Sequence, residues 1–321
     1  MTTQAVRRIT LDEVRAARER IAGVICRTPM VVLEAGPQYP TVRVKLEMLQ
    51  PINAFKLRGA ANAVAMLPDA LKRQGVWTIS AGNAGQGVAY AARAAGIACT
   101  IVVIETAPEA KIERMRRLGA TLITAPFDVC WQALESRVFP GIEGAFVHPF
   151  DDHDFIVGNA TLGLEIVEDA PDASAVIAAI GGGGLITGVA SVVRALLPSA
   201  KIYGAEPVTA APVALSFERG SPQTFAQWQA TFVDGAGGKS VFPRMWERMK
   251  DLVDGSIVVS LDEVAHAMRL LAERVRIIAE GAGALPVAAA LSGKAGQGPI
   301  VAVVSGGNID LKKFAQLTGI A

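Results

Sequence analysis

Nine short runs of apolar and β-branched residues recur along this chain, at 41 to 47, 76 to 80, 99 to 104, 120 to 124, 145 to 150, 175 to 180, 201 to 207, 256 to 260 and 299 to 305. Between them, residues 55 to 67, 84 to 96, 107 to 119 and 184 to 198 repeat apolar side chains with a helical period. Strands that alternate with helices predict mainly parallel sheets covered by helices on both faces, the α/β class. At 321 residues the chain exceeds the roughly 100–200 expected of one domain. No linker or repeat divides it, so the second domain is expected as an insertion: a larger domain at 1 to 71 with 148 to 321, and a smaller, mobile one at 72 to 147 with room for four strand–helix units. Thr10 with Glu13, and Ser260 with Glu263, each read as a capping box opening a helix.

The remaining composition narrows the class by exclusion. Lys and Arg number 31 against 30 Asp and Glu, which leaves no basic excess for nucleic acid or an anionic membrane. A chain that is 51% hydrophobic and only 19% charged is not disordered. Its first twenty residues are charged where a signal peptide needs an apolar stretch. Residues 173 to 193 carry no charge and are long enough to span a bilayer, but four glycines at their centre divide them into strand, loop and helix. Cys26, Cys99 and Cys130 form no CxxC, so the expected compartment is the reducing cytoplasm. His148, His153 and His266 show no paired spacing, and no histidine-based metal site is expected.

Glycine carries the functional signal. Gly181, Gly182, Gly183 and Gly184 follow a buried-type strand and lead into a helix starting near Leu185. Free N–H groups and a helix N-terminus at one place suit a phosphate. Two nucleotide readings of the glycines fail by counting, because Thr187 stands where a GxGxxG needs its third glycine and Val233 where a Walker loop needs its first. Ser80-Ala81-Gly82-Asn83-Ala84-Gly85-Gln86-Gly87 is a second loop between a strand and a helix, able to hold a small anion such as a carboxylate. Ser305-Gly306-Gly307-Asn308 is a third, and ligands of α/β sheets bind beyond such strand ends. Lys56 opens a predicted helix in NAFKLRG. A lone lysine is ordinarily a solvated surface residue. With its pKa depressed by burial or a nearby cation, it becomes a nucleophilic amine able to form a Schiff base.

NAFKLRGA, SAGNAGQG, GGGGLITG and SGGN, in this order over residues 53 to 308, resemble the fold type II pyridoxal-phosphate enzymes, in particular the serine/threonine dehydratase and serine racemase group. PFDDHDFIVGNATLGLEI, YGAEP and AEGAGALPVAAAL are similar to the same group, so the resemblance spans most of the chain. It implies a tryptophan synthase β-subunit-like architecture of two helix-covered parallel sheets, and a homodimer. It also implies that Lys56 holds pyridoxal 5'-phosphate as a Schiff base and later moves the α-proton, with the ring of Phe55 against the cofactor. Gly181 to Gly184, with Leu185, would hold the cofactor phosphate. Asn83 would bond the phenolic oxygen, Ser305 would face the pyridine nitrogen, and Ser80, Ala81, Gly82, Asn83 and Ala84 would take the carboxylate of a small amino-acid substrate. The activity implied is β-elimination, serine to pyruvate or threonine to 2-oxobutanoate with ammonia, with the cofactor phosphate as proton donor to the leaving hydroxyl.

Departures from the group sharpen this expectation. Biosynthetic threonine dehydratases and serine racemases usually read SSGNH, whereas SAGNAG resembles the liver-type serine dehydratases, and Ala81 offers no hydroxyl to act as acid or base on the face opposite the lysine. Elimination is therefore expected over racemisation, which stands as the alternative, with a non-catalytic binder of cofactor or amino acid as a third reading. The racemase branch also implies a divalent-cation site built from an acidic residue, matched by Glu206, and an aspartate six positions on, where Pro212 stands; no such site is expected, though Glu206 with backbone carbonyls could attract a monovalent ion. With the chain ending at Ala321, no regulatory domain is expected.

Overall fold

The computed structural model describes residues 6–107 and 109–320; Pro108, one position of the helix expected at 107 to 119, lies outside them. The strands are β1 (Met30–Leu33), β2 (Val42–Lys45), β3 (Val76–Ile79), β4 (Cys99–Ile104), β5 (Thr121–Ala125), β6 (Ala145–Phe146), β7 (Ala175–Ala179), β8 (Lys201–Pro207), β9 (Gly255–Val259) and β10 (Ile300–Val303). The helices are α1 (Leu11–Ile21), α2 (Lys56–Met66), α3 (Asp69–Gln74), α4 (Asn83–Ala94), α5 (Glu109–Arg117), α6 (Phe127–Ser136) and α7 (His153–Asp169). They continue as α8 (Gly184–Leu196), α9 (Pro212–Arg219), α10 (Pro243–Met249), α11 (Leu261–Leu270), α12 (Gly281–Leu291) and α13 (Leu311–Thr318).

Two sheets result, one of six strands in the order β1-β2-β10-β7-β8-β9 and one of four in the order β5-β4-β3-β6. All pairings are parallel except the edge pair β1–β2. This is the α/β architecture, and its cause is visible in β7. Ala175 and Ile177 pack on one face with Leu285 of α12, while Val176 and Ala178 pack on the other with Ile186 and Val189 of α8. A strand buried on both faces needs an unbroken apolar run, as 175 to 180 is. Residues 173 to 193 fall into β7, a glycine turn and most of α8, and no helix among the described residues is long and apolar enough to cross a membrane.

Two strands differ from expectation. The run at 145 to 150 pairs only over Ala145–Phe146, because the chain then folds back: the Nδ1 of His148 accepts the N–H groups of Phe150 and Asp151 at 3.3 and 2.9 Å. The four-stranded sheet accordingly holds three strand–helix units and a final strand rather than four. β1 was not expected from its residues; it is a short, half-exposed edge strand without a clear alternation. Both capping boxes form, at Thr10 with Glu13 and at Ser260 with Glu263.

Between the sheets, α4 lies directly on α2. A Cβ on Gly87 would come within 3.1 Å of the Lys56 carbonyl and 3.3 Å of the Ala60 methyl, so glycine permits the close approach. That contact brings the loop after β3 beside the start of α2.

Candidate active site

Three loops leaving parallel strands meet at the N-terminus of α2. The Phe55 N–H donates to the Ser305 carbonyl at 2.9 Å, the Gly307 N–H to the Asn53 carbonyl at 3.0 Å, and the Asn308 amide to the Ile52 carbonyl at 2.8 Å. These bonds tie the segment before Lys56 to the segment after β10. Asn53 makes the sharp entry with φ of 56°, a left-handed conformation that asparagine tolerates better than most residues.

Lys56 is partly exposed, and its ammonium group donates to the Pro149 carbonyl at 2.7 Å, with the rings of Phe55 and Phe155 at 5.2 and 5.5 Å. Desolvation by the surrounding protein pulls its pKa from the usual 10.5 to about 8. The bonded neighbour is a neutral carbonyl, which solvates the ammonium without holding the proton as a carboxylate would.

The next residue, Phe150, connects the amine to the glycine turn. A Cβ on Gly182 would lie 2.2 Å from the Phe150 ring, and one on Gly184 would lie 2.9 Å from its carbonyl oxygen. Gly183, at φ of 87°, occupies the left-handed region as the N-cap of α8 and supplies no side-chain cap. The first N–H groups of α8 have no acceptor in their own helix, and no side chain caps them. With the helix dipole behind them they could receive an anion. Leu185, expected to join them, is buried at 4% exposure in the core cluster that holds Ile186 and Val189.

On the opposite side stands the Ser80–Ala84 loop. The Ser80 N–H donates to the Val102 carbonyl at 3.1 Å and the Gly82 N–H to the Ser80 hydroxyl at 3.2 Å, so two of the amides expected to await a carboxylate are already engaged. Asn83, at the start of α4, has both ends of its amide fixed. Its Oδ1 accepts from Asn308 at 2.7 Å and its Nδ2 donates to Glu280 at 2.7 Å. An amide nitrogen carries two hydrogens, so a second donor remains to Asn83.

The sequence reading did not single out Glu280, His148 or Asp151 as site residues. Burial, helped by Asp234, pushes the Glu280 carboxyl up to about 7 against the opposing effects of Asn83, Lys111 and the Asn308 N–H. Burial, reinforced by the charges of Arg137, Lys56 and Arg244, pushes His148 down to about 3, which leaves a neutral ring whose Nδ1 is an acceptor. The buried Asp151 carboxylate gathers Arg137, Arg244 and Arg248 at 3.2, 3.0 and 3.4 Å. A signal for Glu280 was present: a carboxylate placed directly before the wholly apolar GAGALPVAAAL must be buried with that helix. Glu206 is also buried, but both its oxygens are in use, accepting the Val213 and Ala214 N–H groups at 2.9 and 2.8 Å and the Ser256 hydroxyl at 2.7 Å.

Comparison with known proteins bears on this geometry. The sequence pattern of the family described as pyridoxal-phosphate dependent enzyme matches residues 21–306. The L-threonine ammonia-lyase of Thermotoga maritima is 37% identical over 96% of this chain and 78% of its own length. The catabolic L-threonine dehydratase of Staphylococcus aureus (strain USA300) is 38% identical over 98% of this chain and 93% of its own. Among solved structures, maize serine racemase superposes with a TM-score of 0.89 at 33% identity, over 97% of each chain.

Proposed function

The chain belongs to the pyridoxal-phosphate-dependent enzymes, and from that premise we propose that it is an ammonia-lyase of the serine/threonine dehydratase kind, converting a β-hydroxy amino acid to a 2-oxoacid and ammonia. The observation that carries the reading is one junction: Pro149 and Phe150 join a desolvated lysine amine to an uncapped glycine turn, against which the Phe150 ring packs so closely that a Cβ at Gly182 would collide with it. Those residues fit the cofactor. Lys56 would carry it beside Phe55, Gly181 to Gly184 with Leu185 would hold its phosphate, and Asn83 and Ser305 would meet its ring.

Bound pyridoxal phosphate supplies an electron sink that makes the α-proton of an attached amino acid removable. The rest falls to the chain. With a pKa near 8 the Lys56 amine can take that proton at physiological pH, since a base works best when its pKa lies near the working pH. The Ser80–Ala84 loop presents N–H groups to the substrate carboxylate at the start of α4. A serine hydroxyl at 305, unlike a carboxylate, would not strongly hold a proton on the cofactor's ring nitrogen, which would favour prompt loss of the β-hydroxyl. The methyl of Ala81 moves no proton, so a proton removed from one face is not returned to the other.

We read 72–147 as the smaller, mobile domain and the remainder as the larger one, in a cytoplasmic homodimer. The three free cysteines, two of them buried, support a reducing compartment. The deciding experiment measures 2-oxoacid and ammonia from L-threonine, L-serine, a 3-hydroxyaspartate and a bulkier β-hydroxy amino acid, ranked by kcat/KM. Equal amounts of 2-oxoacid and ammonia are expected; no 2-oxoacid from any of the panel by the cofactor-loaded protein overturns the reading. Serine racemisation is the second reading, favoured by the likeness to maize serine racemase. Chiral chromatography after incubation with L-serine separates the two, and pyruvate is expected to exceed D-serine.

A further inference from the structure

Asn83 owes its position to groups far away in the chain. Glu280, 197 residues on, accepts from its Nδ2, and Asn308, 225 residues on, donates to its Oδ1. Around these contacts the elements of the four-stranded sheet meet the loops of the six-stranded one again. Arg114 of α5 donates to the Asn308 Oδ1, and Lys111 of the same helix pairs with Asp234 at 2.6 Å. The Glu280 carboxyl is enclosed, since a Cβ on Gly306 would fall 2.3 Å from its Oε1.

The direction of these bonds matters. An asparagine amide has a donor end and an acceptor end, and a flip exchanges them. Asn308 presents an N–H to Asn83 and so demands its oxygen. An ionised carboxylate is an acceptor only and so demands its nitrogen. The two demands agree, and together they leave the second Nδ2 hydrogen as the group Asn83 can offer at the site. A protonated Glu280 would carry an O–H that competes for the amide oxygen, and the agreement would be lost.

We propose that Glu280 is a positioning residue that, in its ionised form, fixes which end of the Asn83 amide faces the site, with Asp234 opposing and Lys111 supporting that ionisation. The titratable and charged groups facing it are Asp234 from the loop before α10 and Lys111 from α5, with Asn83 and the Asn308 N–H as its polar contacts. Burial and Asp234 place the titration of Glu280 at about 7, so the orienting form predominates above that pH and is lost as the pH falls through it. The kinetic part of the proposal rests on the ammonia-lyase reading; the spectroscopic part does not.

The test follows the carboxylic C=O band of Glu280 by infrared difference spectroscopy, with Glu280→Gln as the subtraction, beside the pH profile of kcat/KM for L-threonine. In the parent, both are expected to titrate near neutrality, with kcat/KM falling about tenfold per pH unit on the acid side. Asp234→Asn should move the midpoint down and Lys111→Met should move it up, opposite shifts that a general loss of structure would not produce. Glu280→Gln, which keeps an acceptor oxygen, should retain activity and lose this acid limb, whereas Glu280→Ala should lose activity at every pH. A band that titrates in the ordinary carboxylate range, or a midpoint indifferent to residues 111 and 234, overturns the proposal. So does an acid limb that survives in Glu280→Gln. Absence of any 2-oxoacid would sink the ammonia-lyase reading and leave the infrared titration to decide the role of Glu280.

Discussion

Lys56 and Arg58 stand two residues apart in the first turn of α2, one partly exposed and the other fully buried, and the two are treated in opposite ways. Arg58 is 0% exposed and fully satisfied by charge. Its Nε and Nη2 make a fork with the Glu47 carboxylate at 2.7 and 2.8 Å, and its Nη1 reaches Glu165 at 2.7 Å. Lys45, also at 0% exposure, pairs with Glu165 at 2.8 Å and Asp169 at 3.0 Å. Burial works to lower the Arg58 pKa, but Glu47 and Glu165 raise it further, while Arg58 and the Thr28 hydroxyl hold Glu47 below its usual range despite its burial. Lys56 has only a carbonyl, and burial alone sets its pKa. The difference teaches what makes a buried cation chemical. Arg58 is paired and its proton is locked; Lys56 is left unpaired by carboxylates, and its proton comes free near neutral pH.

The largest effect should come from Lys56→Met. Removing the amine should cost at least about 10³-fold in 2-oxoacid formation and abolish the visible absorbance of lysine-bound cofactor. Stability should move the other way. The folded pKa lies below the unfolded one, so the penalty for burying Lys56 is absent above about 10.5 and grows as the pH falls to about 8. The cofactor-free variant should therefore unfold at higher denaturant than the parent at pH 7, by about 1–3 kcal/mol, with the two converging at high pH. A variant that loses activity and stability together would erase the contrast with Arg58.

Arg58→Met should produce the reverse pattern. It leaves Glu47 and part of Glu165 uncompensated, and breaking a buried pair from one side costs about 3–5 kcal/mol. Urea unfolding of the cofactor-free chain should show this loss. The pH dependence has a definite sign: the support Glu47 receives is present above its unfolded pKa and is lost as the pH falls through its lower folded value. The parent should therefore lose stability in acid that the variant has already lost, so their difference shrinks there.

How much of this was legible in the residues differs between the two regions. The glycine turn, the Ser80 loop and the Ser305 loop each follow a strand, and local pattern places all three. The α/β class was equally readable, since runs such as 175 to 180 are apolar without alternation. The charge network was not. Nothing in VRVKLEM marks Lys45 and Glu47 as buried, because β2 lies inside the large sheet only once β1 covers its edge, and β1 is too short and too exposed to announce itself. Glu280 was hidden for a related reason: its partner Asn83 lies across the contact between two sheets, and only tertiary packing sets that pairing. The early end of β6 reflects a side chain acting on the backbone, where His148 accepts the N–H groups that a continuing strand would have used.

The smallest effect expected, and the finest division of the comparison, belongs to Lys45→Met. Lys45 resembles Arg58 in being a fully buried cation beside Glu165, but its loss strands less charge. Glu165 keeps its bond to Arg58 at 2.7 Å, and Asp169 keeps its bond to Arg27 at 2.5 Å. What becomes unpaired is the Thr28 carbonyl, which now accepts from Lys45 at 2.6 Å, and the buried Oε2 of Glu165, which has Lys45 at 2.8 Å and no other partner, since Arg58 holds Oε1. Methionine fills much of the lysine stem's volume, so packing loss should be slight. A lost buried hydrogen bond of this kind costs about 1–3 kcal/mol. Urea titration should place Lys45→Met between the parent and Arg58→Met, with kcat/KM within about twofold of the parent. If Lys45→Met proves as costly as Arg58→Met, Glu165 depends on both cations at once, and the contrast with Lys56 is one between a cooperative network and a single amine, not between two neighbouring cations.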